Sequence, residues 1–315
     1  MENTEEFLKN LCKRYEDLQE IRLRADKPVG IVIKGSTFFI DEKANIEKKV
    51  DKAVSITKNN IYEIFMKLCK HSIHAYKEQI KEGYITTDEG HRVGIAGKLN
   101  SVGNMSALDI TSLNIRIARQ IKGASEEISQ RLFKERVNST LIIGEPSSGK
   151  TTILRDLAIK LTSGYLGKSY KTVIIDSRNE IGAYQNGKYT YDVGINTDII
   201  TGIDKSEGIM QAIRTMSPQI IICDEMGGID DVVAVNQCLN SGVNIITTVH
   251  AGSKKEAEEK EQILALINSG AFKNVVLLQG ADNPSAVKSY GRIVKNDKDL
   301  RNYDDSYNYI IVWDK

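Results

Sequence analysis

The chain has little that would tie it to a bilayer, an oxidising compartment or a bulk polyanion. No apolar run approaches the roughly 18–20 residues that a membrane-crossing helix needs, so no span is expected. Only four cysteines occur, Cys12, Cys69, Cys223 and Cys238. None forms a CxxC pair or has a zinc-type histidine spacing, and they read as core thiols in a reducing compartment. The formal net charge is +1, too small for a global field toward nucleic acid or an anionic membrane, although it leaves room for local basic patches. Aromatic residues make up 6%, a thin supply for stacking bases, and a nucleic-acid partner is not expected. Internal repeats and low-complexity tracts are lacking. The opening residues, MENTEEFLKNLCKRYEDLQE, break their apolar stretches with acids, unlike a secretory leader. A cytoplasmic location is the expectation.

What is present is an ordinary globular composition, 41% hydrophobic and 27% charged over 315 residues, enough for two domains with their own cores. The chain is organised around residues 141–157, LIIGEPSSGKTTILRDL. Three apolar residues run into Gly144, and after four more come Gly149, Lys150 and Thr151. An apolar helical pattern follows at Ile153, Leu154 and Leu157. This is GxxxxGK[ST] between a strand and a helix, the context of a P-loop. A loop with glycine at both ends can curl its N–H groups around phosphate oxygens, and the next helix aims its positive end at the same anion. ATP is the expected ligand, contacted by Gly144, Glu145, Pro146, Ser147, Ser148, Gly149, Lys150, Thr151 and Thr152. Lys150 would reach the β- and γ-phosphates, and Thr151 would ligate Mg²⁺.

Other strands end in chemistry. Residues 220–225, IIICDE, form an apolar run closing on Asp224, which would hold the magnesium shell, and Glu225, which would polarise water. Residues 172–180, TVIIDSRNE, bring Asp176 and Glu180 to a second strand end, where ligands of parallel sheets bind. Residues 245–251, IITTVHA, place Thr247, Thr248 and His250 at a third, His250 as a γ-phosphate sensor. Arg214 closes the helix before the acidic strand, and Arg92, Arg116 and Arg119 lie in or beside strands nearer the N-terminus. Any of them could offer a phosphate its planar fork of donors.

The expected architecture is α/β: a RecA-like or AAA+-type P-loop domain preceded by a smaller α+β domain. Residues 1–122 would form the first, 123–136 a linker and connecting helix, and 137–315 the second. The first carries an amphipathic helix over 3–20, a meander of strands near 20–24, 29–33 and 36–40, a helix over 57–81, a hairpin over 84–96 and a strand over 111–118. Ile21 and Leu23 alternate with Arg22 and Arg24, which puts two arginines on one face. In the second domain strands are expected at 139–143, 172–175, 219–223, 244–248 and 275–278, with helices between most of them and therefore a parallel sheet. Two further strands follow at 290–294 and 307–313.

In order, these stretches resemble the secretion-type ATPases that drive type II and type IV secretion and pilus motors. The P-loop, Asp176 to Glu180, Asp224–Glu225 and residues 247–251 look like their Walker A, aspartate, Walker B and histidine boxes. Residues 20–24 (EIRLR), 83–86 (GYIT), 90–97 (GHRVGIAG) and 113–119 (LNIRIAR) are similar to the N-terminal signatures of the sporulation branch of that family. The resemblance covers about residues 5–315. It implies a homohexameric ATPase on the mother-cell side of a membrane, docked on channel proteins of the sporulation apparatus. It also implies that the N-terminal domain supplies arginines, Arg92 and Arg116, to a nucleotide of the same or a neighbouring chain. Two departures stand out. Asp224–Glu225 replaces the Gly-Glu usual in such motors, and their zinc-binding tetracysteine is absent. The catalytic base is one of Glu225 and Glu180. Two other readings remain: a nucleotide-dependent scaffold that assembles a channel without fast turnover, and a nucleic-acid translocase.

Overall fold

The computed structural model describes residues 10–98, 109–118, 120–185, 187–296 and 308–314. The chain divides into two compact units, Met1–Arg119 and Gln120–Lys315.

The first unit is built on strands β1 (Leu18–Arg24), β2 (Gly30–Ile33), β3 (Ser36–Ile40), β4 (Ile46–Glu47), β5 (Tyr84–Thr86), β6 (Arg92–Lys98) and β7 (Asp109–Arg116). They form one seven-stranded antiparallel sheet in the order β4-β3-β2-β1-β7-β6-β5. Period-2 alternation decides its faces. Ile21, Leu23, Val93, Ile95, Leu113 and Ile115 are buried in one core, while Arg22 and Arg116 on the opposite face are exposed. Helix α1 (Lys58–Leu68) starts at Thr57, whose side chain accepts from the Asn60 N–H, and buries Ile61, Ile64 and Phe65 in that core.

Two expected helices differ. The helix over 57–81 is broken into α1 and α2 (Lys77–Lys81). Lys70 and His71 take φ of 51° and 58°, and the His71 N–H closes back on the Met66 carbonyl, ending α1. A 3₁₀ turn over Ile73–Tyr76 then carries the apolar pattern on in a new direction. The helix over 3–20 lies partly outside the described residues. Residues 10–14 are helical, but Leu18 opens β1 instead, paired with Ile33 and buried.

The second unit carries β8 (Thr140–Ile143), β9 (Thr172–Asp176), β10 (Thr197–Thr201), β11 (Ile220–Cys223), β12 (Asn244–Val249), β13 (Asn274–Leu278), β14 (Val287–Lys295) and β15 (Tyr309–Trp313). Their order is β10-β9-β11-β12-β8-β13-β14-β15, parallel from β10 to β13 and antiparallel beyond. Alternate residues of the apolar runs feed two cores. Ile142, Ile174, Ile222, Ile246 and Val276 pack with Ile153, Leu154, Leu157 and Leu161 of α3 (Lys150–Thr162). Leu141, Ile143, Val173, Ile175, Ile221 and Ile245 pack on the other side with α4 (Lys205–Thr215), α5 (Ile229–Asn240) and α7 (Glu261–Asn268), the last reached through the short α6 (Lys254–Glu259). Covered on both faces, the strands tolerate no polar alternation. Sequence reading missed β10, whose two isoleucines sit in a turn-rich stretch. As an edge strand it needs only one neighbour, β9.

Candidate nucleotide site

Strand register brings the site together. β12 lies between β8 and β11, with Ile143 opposite Val249 and Cys223 opposite Thr247. One residue further along, Gly144 therefore meets His250, and Asp224 meets Thr248. All four leave the carboxyl ends of adjacent parallel strands, where a crevice forms.

From β8 the chain turns at Gly144, where a Cβ would stand 2.3 Å from the Ser148 Oγ. Gly149 holds φ of 89°, and a Cβ there would stand 2.6 Å from the Ser285 backbone nitrogen. The positive φ and the backbone clash require glycine at 149, whereas a Cβ at 144 would displace the Ser148 hydroxyl. Ser147 has φ of 62° and is half-buried, Glu145 and Pro146 are exposed, and Ser148 is buried. Among the described residues the Ser148 Oγ has no hydrogen-bond partner. Lys150 opens α3 and is only 7% exposed. Its Nζ donates to the carbonyls of Gly144 (2.8 Å) and Glu145 (2.7 Å) and lies 3.1 Å from His250 Nδ1. Thr152, half-buried, follows in the first turn of the helix. Such a cradle, with an inward ammonium and an orphan hydroxyl, fits a polyphosphate.

Thr151 Oγ1 donates to Asp224 Oδ2 at 2.7 Å, and the Thr248 hydroxyl donates to Asp224 Oδ1. These hard oxygens fit Mg²⁺, which takes one or two protein ligands and completes its shell with water and phosphate. Among the described residues no group of three or more His, Cys, Asp or Glu forms a metal cluster.

Glu225 sits in the left-handed region at φ of 48°, its N–H donating to Thr248 Oγ1 at 2.8 Å. Its carboxylate is ion-paired with the Arg178 guanidinium and lies 3.4 Å from His250 Nε2. Its carbonyl accepts from Lys205. Burial, and then the Lys150 ammonium, push the His250 pKa below the ordinary histidine value. A neutral imidazole facing an ammonium accepts at Nδ1, which leaves the ring proton on Nε2, toward Glu225.

The aspartate strand behaves differently. Asp176, 2% exposed, accepts from the N–H groups of Glu180 (2.8 Å), Ile181 (3.0 Å) and Gly182 (2.8 Å). Burial raises its pKa while these three donors pull it down. Its carboxylate thus orders the loop that carries Glu180. Glu180 is fixed through its main chain, its carbonyl accepting from Arg155 Nη2 at 2.7 Å. Arg155 also donates to the Ile181 carbonyl at 2.8 Å and stacks 4.1 Å over the Tyr191 ring. It ties the aspartate loop to the P-loop helix. Arg155→Ala is expected to leave one buried and one part-buried carbonyl without this donor and to cost about 2–4 kcal/mol, read as a lower urea midpoint.

Arg92 and Arg116 belong to the other unit, as direct cross-strand partners on the outer face of its sheet. The Arg92 guanidinium lies 4.0 Å over the Tyr84 ring. Arg22 and Arg24 share that face, Arg119 lies outside the described residues, and Arg214 is exposed at the last turn of α4. Sequence reasoning assigned no role to Arg178, Lys205 or Arg155. Arg178 carried a signal, two residues beyond a strand-end aspartate. Arg155 carried none, since one arginine in an amphipathic helix looks solvent-facing until its 3% exposure is known.

A P-loop on β8, with one strand between it and the acid-ended β11, gives the fold of the P-loop secretion ATPases. The pilus retraction motor PilT with bound ADP superposes with a TM-score of 0.55 at 11% identity, covering 98% of this chain and 81% of that one. The ATPase DotB of Legionella pneumophila gives 0.50 at 12% identity, covering 98% and 79%. The chain belongs to the family of sporulation stage III, protein AA, whose model matches residues 2–295. Stage III sporulation protein AA of Bacillus subtilis (strain 168) is 33% identical over 278 residues, 87% of each chain. Among the described residues no helix is long and apolar enough to cross a membrane.

Proposed function

We propose that the protein is a magnesium-dependent ATP hydrolase. It works as a homohexameric ring at the mother-cell face of a membrane and energises or assembles a channel toward the forespore. The observation that carries this reading is the convergence of Lys150, His250 and Glu225, within 3.1 and 3.4 Å of one another in turn, beside the hydrogen-bonded Thr151 and Asp224. Lys150 and the loop N–H groups bind the triphosphate, and Thr151 with Asp224 holds the metal. Magnesium, held there, would supply positive charge against the negative charge that develops on the phosphate oxygens. Glu225, at the end of β11 and faced by His250, is the better placed of the two candidate bases. Glu180 serves the loop above it. Arg92 and Arg116 act on a nucleotide of the same or a neighbouring chain, in keeping with the family resemblance.

The Arg178–Glu225 ion pair gives the scaffold reading its support, because a carboxylate held by arginine is a poor base until released. Steady-state ATPase activity measured against protein concentration separates the two. Specific activity is expected to rise with concentration, since an arginine supplied in trans accelerates phosphoryl transfer by roughly 10³–10⁵. Mixing Arg116→Ala with Glu225→Gln should then restore part of the activity that each lacks alone. ATP binding with no turnover at any concentration would favour the scaffold.

A further inference from the structure

Behind Glu225 and His250 opens a cleft of about 330 Å³, walled by the loop after β9, the start of α4, the turn after β11 and the segment leading into α7. Three cations line it: Arg178, Lys205 and Lys260. Arg178 faces the Glu225 carboxylate. Lys260 Nζ donates to the His250 carbonyl at 2.8 Å and pairs with Glu256 at 2.6 Å. Lys205 donates to the Glu225 carbonyl, and among the described residues no carboxylate stands within 4.0 Å ion-pair range of it. Asp231, the other acid of the lining, has Oδ2 committed to the N–H groups of Gly227 and Gly228. Glu225, Glu256 and Asp231 balance the three cations overall, so what the cleft offers an anion is Lys205, which among the described residues has no carboxylate within ion-pair range. At about 30 Å³ per water the cleft has room for a tetrahedral oxyanion with a partial hydration shell, and it is at the small end for an organic ligand.

His250 ties this space to the nucleotide. Its Nδ1 lies 3.1 Å from the P-loop Lys150, while the same residue lines the cleft. We propose that the cleft is a product site for inorganic phosphate, a reading that rests on the hydrolase assignment above. Once Arg178 has released Glu225, attack by water forms a new bond to the γ-phosphorus as the bond to the bridging oxygen breaks, leaving ADP on the P-loop and one water proton on Glu225. Phosphate passes between Glu225 and His250 into the cleft, where Lys205, Lys260 and Arg178 hold it. Arg178 then holds a phosphate oxygen, and it returns to Glu225 once the ion has left and Glu225 has given its proton to water.

The test is a titration of inorganic phosphate into the full-length protein saturated with Mg·ADP, followed by ³¹P line broadening and calorimetry. Wild type is compared with Lys205→Met, Lys260→Met and a distant control, Lys58→Met. Saturable binding of one phosphate per chain is expected, with ADP retained. Loss of one charge-assisted bond should weaken it by about tenfold in each cleft variant and leave the control unchanged. ADP affinity in the same samples reports that each variant is folded. The proposal is overturned if phosphate displaces ADP, if wild type does not bind it, or if the cleft variants bind like wild type. No turnover is needed for the titration. Hydrolysis without phosphate binding would retain the hydrolase and remove the cleft site, and phosphate binding without hydrolysis would do the reverse.

Discussion

Glu225→Gln is expected to bind Mg·ATP about as tightly as wild type and to lose turnover by about 10²–10⁴-fold, the range for removing a positioned general base. The two side chains are nearly isosteric, so the main-chain bond to Thr248 and the left-handed turn at φ of 48° should persist. What disappears is the charge that faces Arg178 and His250. Glu180→Gln is the necessary comparison. Asp176 and Arg155 anchor Glu180 through its main chain, so that variant should keep its loop and lose far less activity. Single-turnover hydrolysis, with nucleotide affinity measured separately, distinguishes the two acids. If Glu180→Gln shows the larger loss, the base assignment reverses.

Lys150→Ala should act one step earlier, on binding. The Lys150 ammonium is buried and draws the carbonyls of Gly144 and Glu145 toward one point. Its removal takes away the charge aimed at the phosphates and also slackens the loop. A charge-assisted hydrogen bond contributes about 1.5–3 kcal/mol, so two phosphate contacts correspond to a loss in ATP affinity of at least about 100-fold. Lys150→Arg should not restore it, because a planar guanidinium cannot take the compact ammonium's place at 2.8 and 2.7 Å from the Gly144 and Glu145 carbonyls. Titration of a fluorescent ATP analogue reads this directly. Near-normal affinity in Lys150→Ala would remove the P-loop from the binding site. Since His250 Nδ1 would lose its partner, the same variant should also bring the His250 pKa back toward the ordinary histidine range, which its ring proton resonances report.

Much of the fold could be read from short-range pattern. The runs expected at 139–143, 219–223 and 275–278 are too apolar for an exposed sheet face, and all three proved to be interior strands, two paired in parallel on both sides and β13 parallel to β8 and antiparallel to β14. The alternation Ile21–Arg22–Leu23–Arg24 marks a half-buried antiparallel strand, as found in β1. Pattern failed where two geometries share one periodicity. Ile73, Tyr76 and Ile80 continue the helical spacing of α1, yet Lys70 and His71 break the helix and the spacing resumes on a new axis. Leu18 fitted the face of a preceding helix but gains more burial paired with Ile33 in the sheet.

By itself, the sequence marked the candidate segments for phosphate and metal chemistry. GxxxxGK[ST] and acid-terminated apolar runs are local codes, written within a few residues by backbone geometry and side-chain period. Only the tertiary structure decided what those segments face. The insertion of β12 between β8 and β11 sets His250 between Glu225 and Lys150, the latter 100 positions away in sequence. The same packing turned Asp176 toward backbone amides and brought Arg178 to Glu225. Such contacts arise from strand order and register, which are selected by burial across the whole sheet and leave no mark in the spacing of neighbouring residues.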